Sequence, residues 1–202
     1  FKKLKNYTSI KINATERVGK MAIADLNGDG TYDFIVRSPD SNVDPGMPAD
    51  TTGITYKISA YLSDGTHLWT YDWGLGIEPG VWYLPFMAYD FNGDGKAEVI
   101  LKAAGNDYKR NEKWRIFAGS EYLLVLDGMT GKEIARATWP ERNFRYGDVN
   151  RQNRNQIGMA YLDGKTPCIL AARGTYKLMV VDAWQLNGNK LEKLWSWDGD
   201  EE

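Results

Sequence analysis

Met21-Ala22-Ile23-Ala24-Asp25-Leu26-Asn27-Gly28-Asp29-Gly30-Thr31-Tyr32-Asp33-Phe34-Ile35-Val36 is an apolar run, an acidic loop and a second apolar run. The same plan returns at Met87-Ala88-Tyr89-Asp90-Phe91-Asn92-Gly93-Asp94-Gly95-Lys96-Ala97-Glu98-Val99-Ile100. A fainter echo is Tyr146-Gly147-Asp148-Val149-Asn150, ahead of an apolar run at 157–162. Such recurrence marks stacked supersecondary units, each too small to bury its own apolar face.

A second motif keeps the same beat. Leu62-Ser63-Asp64-Gly65, Leu126-Asp127-Gly128 and Leu186-Asn187-Gly188 each follow an alternating run and lead into a run that ends in Trp69, Trp139 or Trp195. Asp-Gly and Asn-Gly between alternating runs signal hairpins, because the primed turns need positive φ. The order per unit is strand, acidic loop, strand, long loop, strand, tight turn, strand. Four antiparallel strands per unit describe a propeller blade. Helical periodicity is nearly absent, and no segment reads as a capped helix. The expected fold is all-β: about three blades of a larger propeller, in a single calcium-binding segment over 1–202. Closed propellers have roughly 4–8 blades. Remaining blades or another chain are therefore expected to cover the open edges and faces.

The acidic loops carry the chemistry of a calcium site. Asp25, Asn27 and Asp29 alternate, Gly30 permits the bend, Thr31 offers its carbonyl and Asp33 closes the loop. The second loop repeats this with Asp90, Asn92, Asp94, the Lys96 carbonyl and Glu98. Calcium takes roughly six to eight oxygens in a flexible shell, which alternating side chains on a tight loop supply. An EF-hand closes at about position 12 between helices, and these loops are shorter and flanked by strands. Each loop has enough ligands to close the shell, so the ion is expected to staple strands and do no chemistry.

Charge and composition bound the partners. The chain has 202 residues, with 25 Lys+Arg against 27 Asp+Glu, which argues against nucleic acid held by bulk charge. Eight Trp and twelve Tyr supply surfaces able to stack on sugars, although most are expected to pack between sheets. No apolar stretch approaches the roughly 20 residues that span a bilayer, and the start does not read as a signal peptide. Phe1 in place of Met suggests a segment of a longer product. The one cysteine, Cys168, lies in an apolar run and is expected to be a buried, inert thiol.

With those loops placed, the chain resembles polysaccharide lyase family eleven, the rhamnogalacturonan lyases. The resemblance is carried by 24–30 and 86–99, Arg110-Asn111-Glu112, Gly119-Ser120-Glu121-Tyr122-Leu123 and Thr130-Gly131-Lys132-Glu133. It continues, in order, through Asn150-Arg151-Gln152-Asn153-Arg154, Ala160-Tyr161-Leu162-Asp163-Gly164 and Arg173-Gly174. It implies a secreted, eight-bladed, calcium-binding propeller that cleaves the rhamnose–galacturonate backbone of pectin by β-elimination, with this chain forming early blades. The chain departs from the family pattern at Gly19-Lys20, near Trp82 and at Asn153.

β-Elimination on a uronate needs a cation on the carboxylate, a base for the adjacent carbon proton and an acid for the leaving oxygen. Arginine suits the first role because its fork matches a carboxylate. The candidates are Arg37, Arg110, Arg115, Arg173 and the run Arg142, Arg145, Arg151 and Arg154, whose charges repel unless an anion is near. Trp82 and Tyr83 fit a sugar-stacking loop. The catalytic base stays open among Lys20, Lys102 and Tyr83, while His67 is expected to face solvent. The alternative is a non-catalytic calcium-propeller module that binds carbohydrate or protein.

Overall fold

A computed structural model describes residues 8–12, 17–40, 55–78, 80 and 82–200. Most of the long connection expected at 38–55 lies outside them. Strands β1 (Lys20–Ala24), β2 (Asp33–Ser38), β3 (Lys57–Tyr61) and β4 (His67–Asp72) form one antiparallel sheet in chain order. A second sheet begins with β5 (Phe86–Tyr89) and β6 (Glu98–Ala104). The chain then leaves it for a small hairpin, β7 (Lys109–Arg110) and β8 (Ile116–Ala118), and returns as β9 (Glu121–Asp127) and β10 (Glu133–Thr138). The third sheet runs β11 (Asn155–Tyr161), β12 (Pro167–Gly174), β13 (Met179–Asn187) and β14 (Lys190–Asp198). The all-β expectation is met in three four-stranded antiparallel sheets.

Two details differ from the sequence reading. A single helical turn, α1 (Val149–Gln152), follows a 3-10 turn at Phe144–Tyr146. The Asp148 side chain caps α1 by accepting from the Arg151 amide at 2.9 Å, so a capped helix does exist. This is the segment read as a third acidic loop. It has no strand before it and lies between sheets. The third sheet's counterpart of the acidic loops is the tight turn after β11, where Asp163 accepts from the Lys165 and Thr166 amides.

The middle sheet is apolar on both faces, and period-two alternation explains how. Val99, Leu101 and Ala103 of β6, with Leu124 and Leu126 of β9, pack with Ile35, Ile58, Trp69 and Trp73 of the first sheet and its trailing loop. Ile100, Leu123 and Val125 point the other way, toward Ile169, Ala171, Trp184 and Leu186 of the third sheet. Truncating a side chain this deep, such as Ile100→Ala, removes about 2–5 kcal/mol. Tryptophans in β4 and just past it also bond across sheets. Trp69 Nε1 donates to the Gly128 carbonyl at 2.8 Å, and Trp73 Nε1 to the Lys102 carbonyl at 2.7 Å. Gly131 is required beneath Trp69: its φ is +67°, and a Cβ there would lie 2.6 Å from the indole.

Antiparallel pairing sorts the connections to two ends. The acidic loops at 25–32 and 90–97 share one end with the tight turns at 62–66, 128–132, 162–166 and 188–189. The connections at 105–120, 139–154 and 175–178, with the described residues 39–40, 55–56, 73–78, 80 and 82–85, gather at the other. The first strands also lie together, β1 beside β5 and β5 beside β11. Among the described residues no helix is long and apolar enough to cross a membrane.

Candidate functional site

At the acidic-loop end each loop closes around its first carboxylate. Asp25 accepts from the amides of Gly28 (2.7 Å), Asp29 (3.2 Å) and Gly30 (2.7 Å). Asp90 does the same for Gly93 (2.7 Å) and Gly95 (2.9 Å). Asn27 and Asn92 accept from the Asp29 and Asp94 amides, and those aspartates accept from the Thr31 and Lys96 amides. The closing carboxylates are buried. Asp33 accepts from the Leu26 and Ser63 amides, and Glu98 from the Phe91 amide and the Asn92 side chain. The two loops touch, since the Ala97 amide donates to the Asp25 carbonyl at 2.8 Å.

Electrostatics set these loops against themselves. Burial, with Asp94 and Asp90 nearby, pushes the Glu98 carboxyl up to about 7. Burial also raises Asp33, with Asp29 and Asp25 adding to it. Among the described residues no group of three or more His, Cys, Asp and Glu side chains is drawn together as a metal cluster. The donor set is nonetheless all oxygen, and its mutual repulsion is what a divalent cation would offset, so the residues fit calcium.

At the long-loop end the groups expected to work on a substrate divide. Trp82 is 45 % exposed and free to stack, but Tyr83 is 1 % exposed and its ring offers no open face. The Tyr83 hydroxyl donates to Asn150 Oδ1 at 2.9 Å and accepts from Arg115, and burial drives its pKa far above the usual phenol value. Arg37 is buried under the Tyr56 ring. Arg110 donates to the Trp114 and Leu75 carbonyls, Arg154 stacks over Tyr176 and Arg151 lies in the last turn of α1. The run from Arg142 to Arg154 does not converge on one anion. Arg145 grips Asp198 with both terminal nitrogens, at 2.7 and 2.8 Å, while Arg142 turns to Glu121.

Of the candidate bases, Lys20 alone is exposed. It starts β1 at this end, paired in register with Arg37, and its ammonium lies 5.6 Å over the Phe86 ring. Burial of part of the chain, and then Arg37, lower its pKa below the ordinary lysine value. Lys102 is buried and bound to Glu121 at 2.6 Å. His67 is exposed at the acidic-loop end, bonded to Thr70, and Cys168 is buried as expected.

Two buried carboxylates that sequence reasoning missed organise this end. Glu78 holds Arg115 at 3.1 Å, the Ile116 amide and the Asn153 side chain at 3.1 Å. Burial raises its carboxyl, and the Ile116 and Arg115 bonds oppose that. An Asp at 153 would set a second carboxylate against it, so the Asn found here fits its neighbour. Glu121 takes three cations: Lys102 (2.6 Å), Arg142 (2.9 Å) and Arg173. Burial works to raise Glu121, but Lys102, Arg173 and Arg142 outweigh it and hold the carboxyl near 2. Lys102 moves down to about 8, by burial first, with Arg173 and Arg142 outdoing part of what Glu121 restores. Glu121 lies in a stretch that carries the family resemblance, but the role of neither glutamate can be read from its neighbours, because its partners come from distant connections.

The chain matches the family model described as rhamnogalacturonan lyase family 11, C-terminal domain, over residues 5–202. It is 40% identical over 196 residues to the rhamnogalacturonan endolyase YesW of Bacillus subtilis (strain 168), covering 88% of this chain and 31% of the relative. It is 36% identical to the exolyase YesX of the same organism, covering 89% and 32%. Among solved structures, the Bacillus licheniformis rhamnogalacturonan lyase PL11 superposes with a TM-score of 0.83 at 37% identity, covering 91% of this chain and 34% of that one. The chain thus spans about a third of the length of the curated relatives it matches. Over nearly all of its own length, it belongs to rhamnogalacturonan lyase family 11.

Proposed function

We propose that this chain is a calcium-stabilised segment of a β-propeller in a secreted rhamnogalacturonan lyase that cleaves the rhamnose–galacturonate backbone of pectin by β-elimination. The observation that carries the reading is the family match over residues 5–202, together with relatives named as an endolyase and an exolyase. Side-by-side first strands support a radial arrangement of sheets, with the remaining blades on either side. Asp25, Asn27, Asp29, Asp33 and the Thr31 carbonyl would hold one calcium, and Asp90, Asn92, Asp94, Glu98 and the Lys96 carbonyl a second. When bound, calcium supplies the charge that offsets these carboxylates.

The chemistry falls to the long-loop end. Lys20 is the base for the proton beside the uronate carboxylate, since Lys102 and Tyr83 are buried and engaged. As Lys20 takes that proton, the bond to the leaving sugar oxygen breaks, a carbon–carbon double bond forms, and the oxygen takes up a proton from water to leave as a hydroxyl. Arg151 and Arg154 lie on the connection between the second and third sheets at this end and are the arginines we assign to the carboxylate. Trp82 offers a stacking face. The rival, a non-catalytic binding module, draws support from the loss of two of the three base candidates to the interior. The deciding assay follows the ultraviolet absorbance of unsaturated uronate ends on rhamnogalacturonan I. A signal that Lys20→Met abolishes without lowering the melt supports the lyase, and no signal from a folded chain means that the chemistry needs the remaining blades or has been lost.

A further inference from the structure

Left-handed backbone is where glycine belongs, because a Cβ there crowds the following carbonyl. Among the described residues two others adopt it, Trp114 at φ +60° and Tyr176 at φ +63°. Both are aromatic, both are exposed (54 % and 84 %), and both lie on connections at the long-loop end. A bulky residue in this conformation is strained, and such strain collects at functional sites, where the surrounding structure holds it in place.

The two positions are not equivalent. Asn111 ties the Trp114 turn by accepting from the Lys113, Trp114 and Arg115 amides, so local bonds account for that turn. Tyr176 is the middle of a three-residue turn with a single closing bond, from the Lys177 amide to the Thr175 carbonyl at 2.8 Å. With positive φ at its centre, this is the rare and strained form of the γ-turn. Both shoulders of the turn are fixed. Leu178 is buried, and a Cβ at Gly174 would overlap the Leu178 carbonyl and the Tyr146 ring. The loop therefore holds up, under strain, a ring that adds little to the core.

The neighbours of that ring say what it is for. The Arg154 guanidinium lies over it, 5.6 Å from the ring centroid. The Arg154 carbonyl accepts from the Gly174 amide at 2.8 Å, and the Asn155 amide donates to the Trp82 carbonyl at 3.0 Å. Tyr176 thus stands next to the two side chains already assigned to the sugar chain, Arg154 and Trp82. The electron-rich face of a phenol ring attracts a cation on one side and the C–H bonds of a pyranose on the other.

We propose that Tyr176 is a substrate-positioning residue, which stacks its open face on a pyranose of the polysaccharide and with its other face holds Arg154 toward the carboxylate of the adjoining sugar. The proposal rests on the pectic reading of this end.

Calorimetric titration of the full chain with a tetrasaccharide of the rhamnogalacturonan I backbone tests it, with the melt of each variant measured alongside. Tyr176→Phe, which keeps the ring, is expected to bind within about twofold of the parent, and Tyr176→Ala about tenfold more weakly. Tyr176→Gly relieves the turn, so its melting temperature is expected to hold or rise while its binding falls as far as that of Tyr176→Ala. The losses in Tyr176→Ala and Arg154→Ala are expected to be less than additive when the two are combined. A lower melt in Tyr176→Gly would make the ring a structural part and overturn the proposal, and additive losses would overturn the coupling to Arg154. A parent that binds, with full affinity kept in Tyr176→Ala and Tyr176→Gly, removes Tyr176 alone and leaves the pectic reading. A parent that gives no heat at millimolar tetrasaccharide overturns both.

Discussion

At the acidic-loop end most carboxylates bond to donors between two and seven residues away, as Asp29 and Glu98 do. At the long-loop end Glu78 and Glu121 collect donors as far as 75 and 52 residues along the chain. The first arrangement is a local loop that can close in almost any strand context. The second exists only when several sheets are already in place, so it measures the integrity of the whole assembly. Disturbing one end should therefore soften a loop, and disturbing the other should unsettle the contact between sheets.

The largest effect should follow Glu121→Ala, which strands Lys102, Arg142 and Arg173 without their shared carboxylate. Removing one member of a buried ion cluster costs about 3–5 kcal/mol. Denaturant unfolding reads this directly, and a loss below that of Asp25→Ala would break the contrast between the ends. Next comes calcium. An ion held only by the folded form at about a hundred times its dissociation constant adds about 2.7 kcal/mol. A chelator should lower the melting temperature of the parent, lower it less in Asp25→Ala and leave the double variant Asp25→Ala, Asp90→Ala unmoved, and a parent melt indifferent to chelator would discard the structural-calcium reading.

Acid sharpens the comparison further. Glu121 is held near 2 when folded, below its ordinary value of 4.5. Its contribution is thus complete above about pH 4.5 and is lost as the pH falls toward about 2. Stability measured across that window should fall less steeply in Glu121→Gln than in the parent. The smallest effect belongs to Trp82→Ala, where exposure predicts a stability change within about 0.5 kcal/mol. Binding of rhamnogalacturonan I should nonetheless weaken, and unchanged binding would remove Trp82 from the site.

The same contrast explains what could be read from the amino acids. Both acidic loops and the Asp-Gly and Asn-Gly hairpins were legible because the residues that shape them are neighbours in sequence. The segment at 146–150 misled because Asp148 can close a loop or cap a helix, and the missing strand before it decides for the cap. Tyr83 read as a sugar platform beside Trp82, yet Arg115 and Asn150 reach it from other connections and bury it. The roles of Glu78 and Glu121 were invisible for the same reason. Nothing near either residue in the chain announces a partner that arrives dozens of positions later.

The middle sheet, apolar on both faces, has a consequence for synthesis. Its contacts with the first sheet use residues already made, so an emerging chain can complete that first core while the third sheet is still unwritten. Until Ile169, Ala171 and Trp184 follow, Ile100, Leu123 and Val125 have no cover. The ribosome thus carries a folded half with one sticky side, and a pause in translation after β10 would be the moment at which a chaperone matters most.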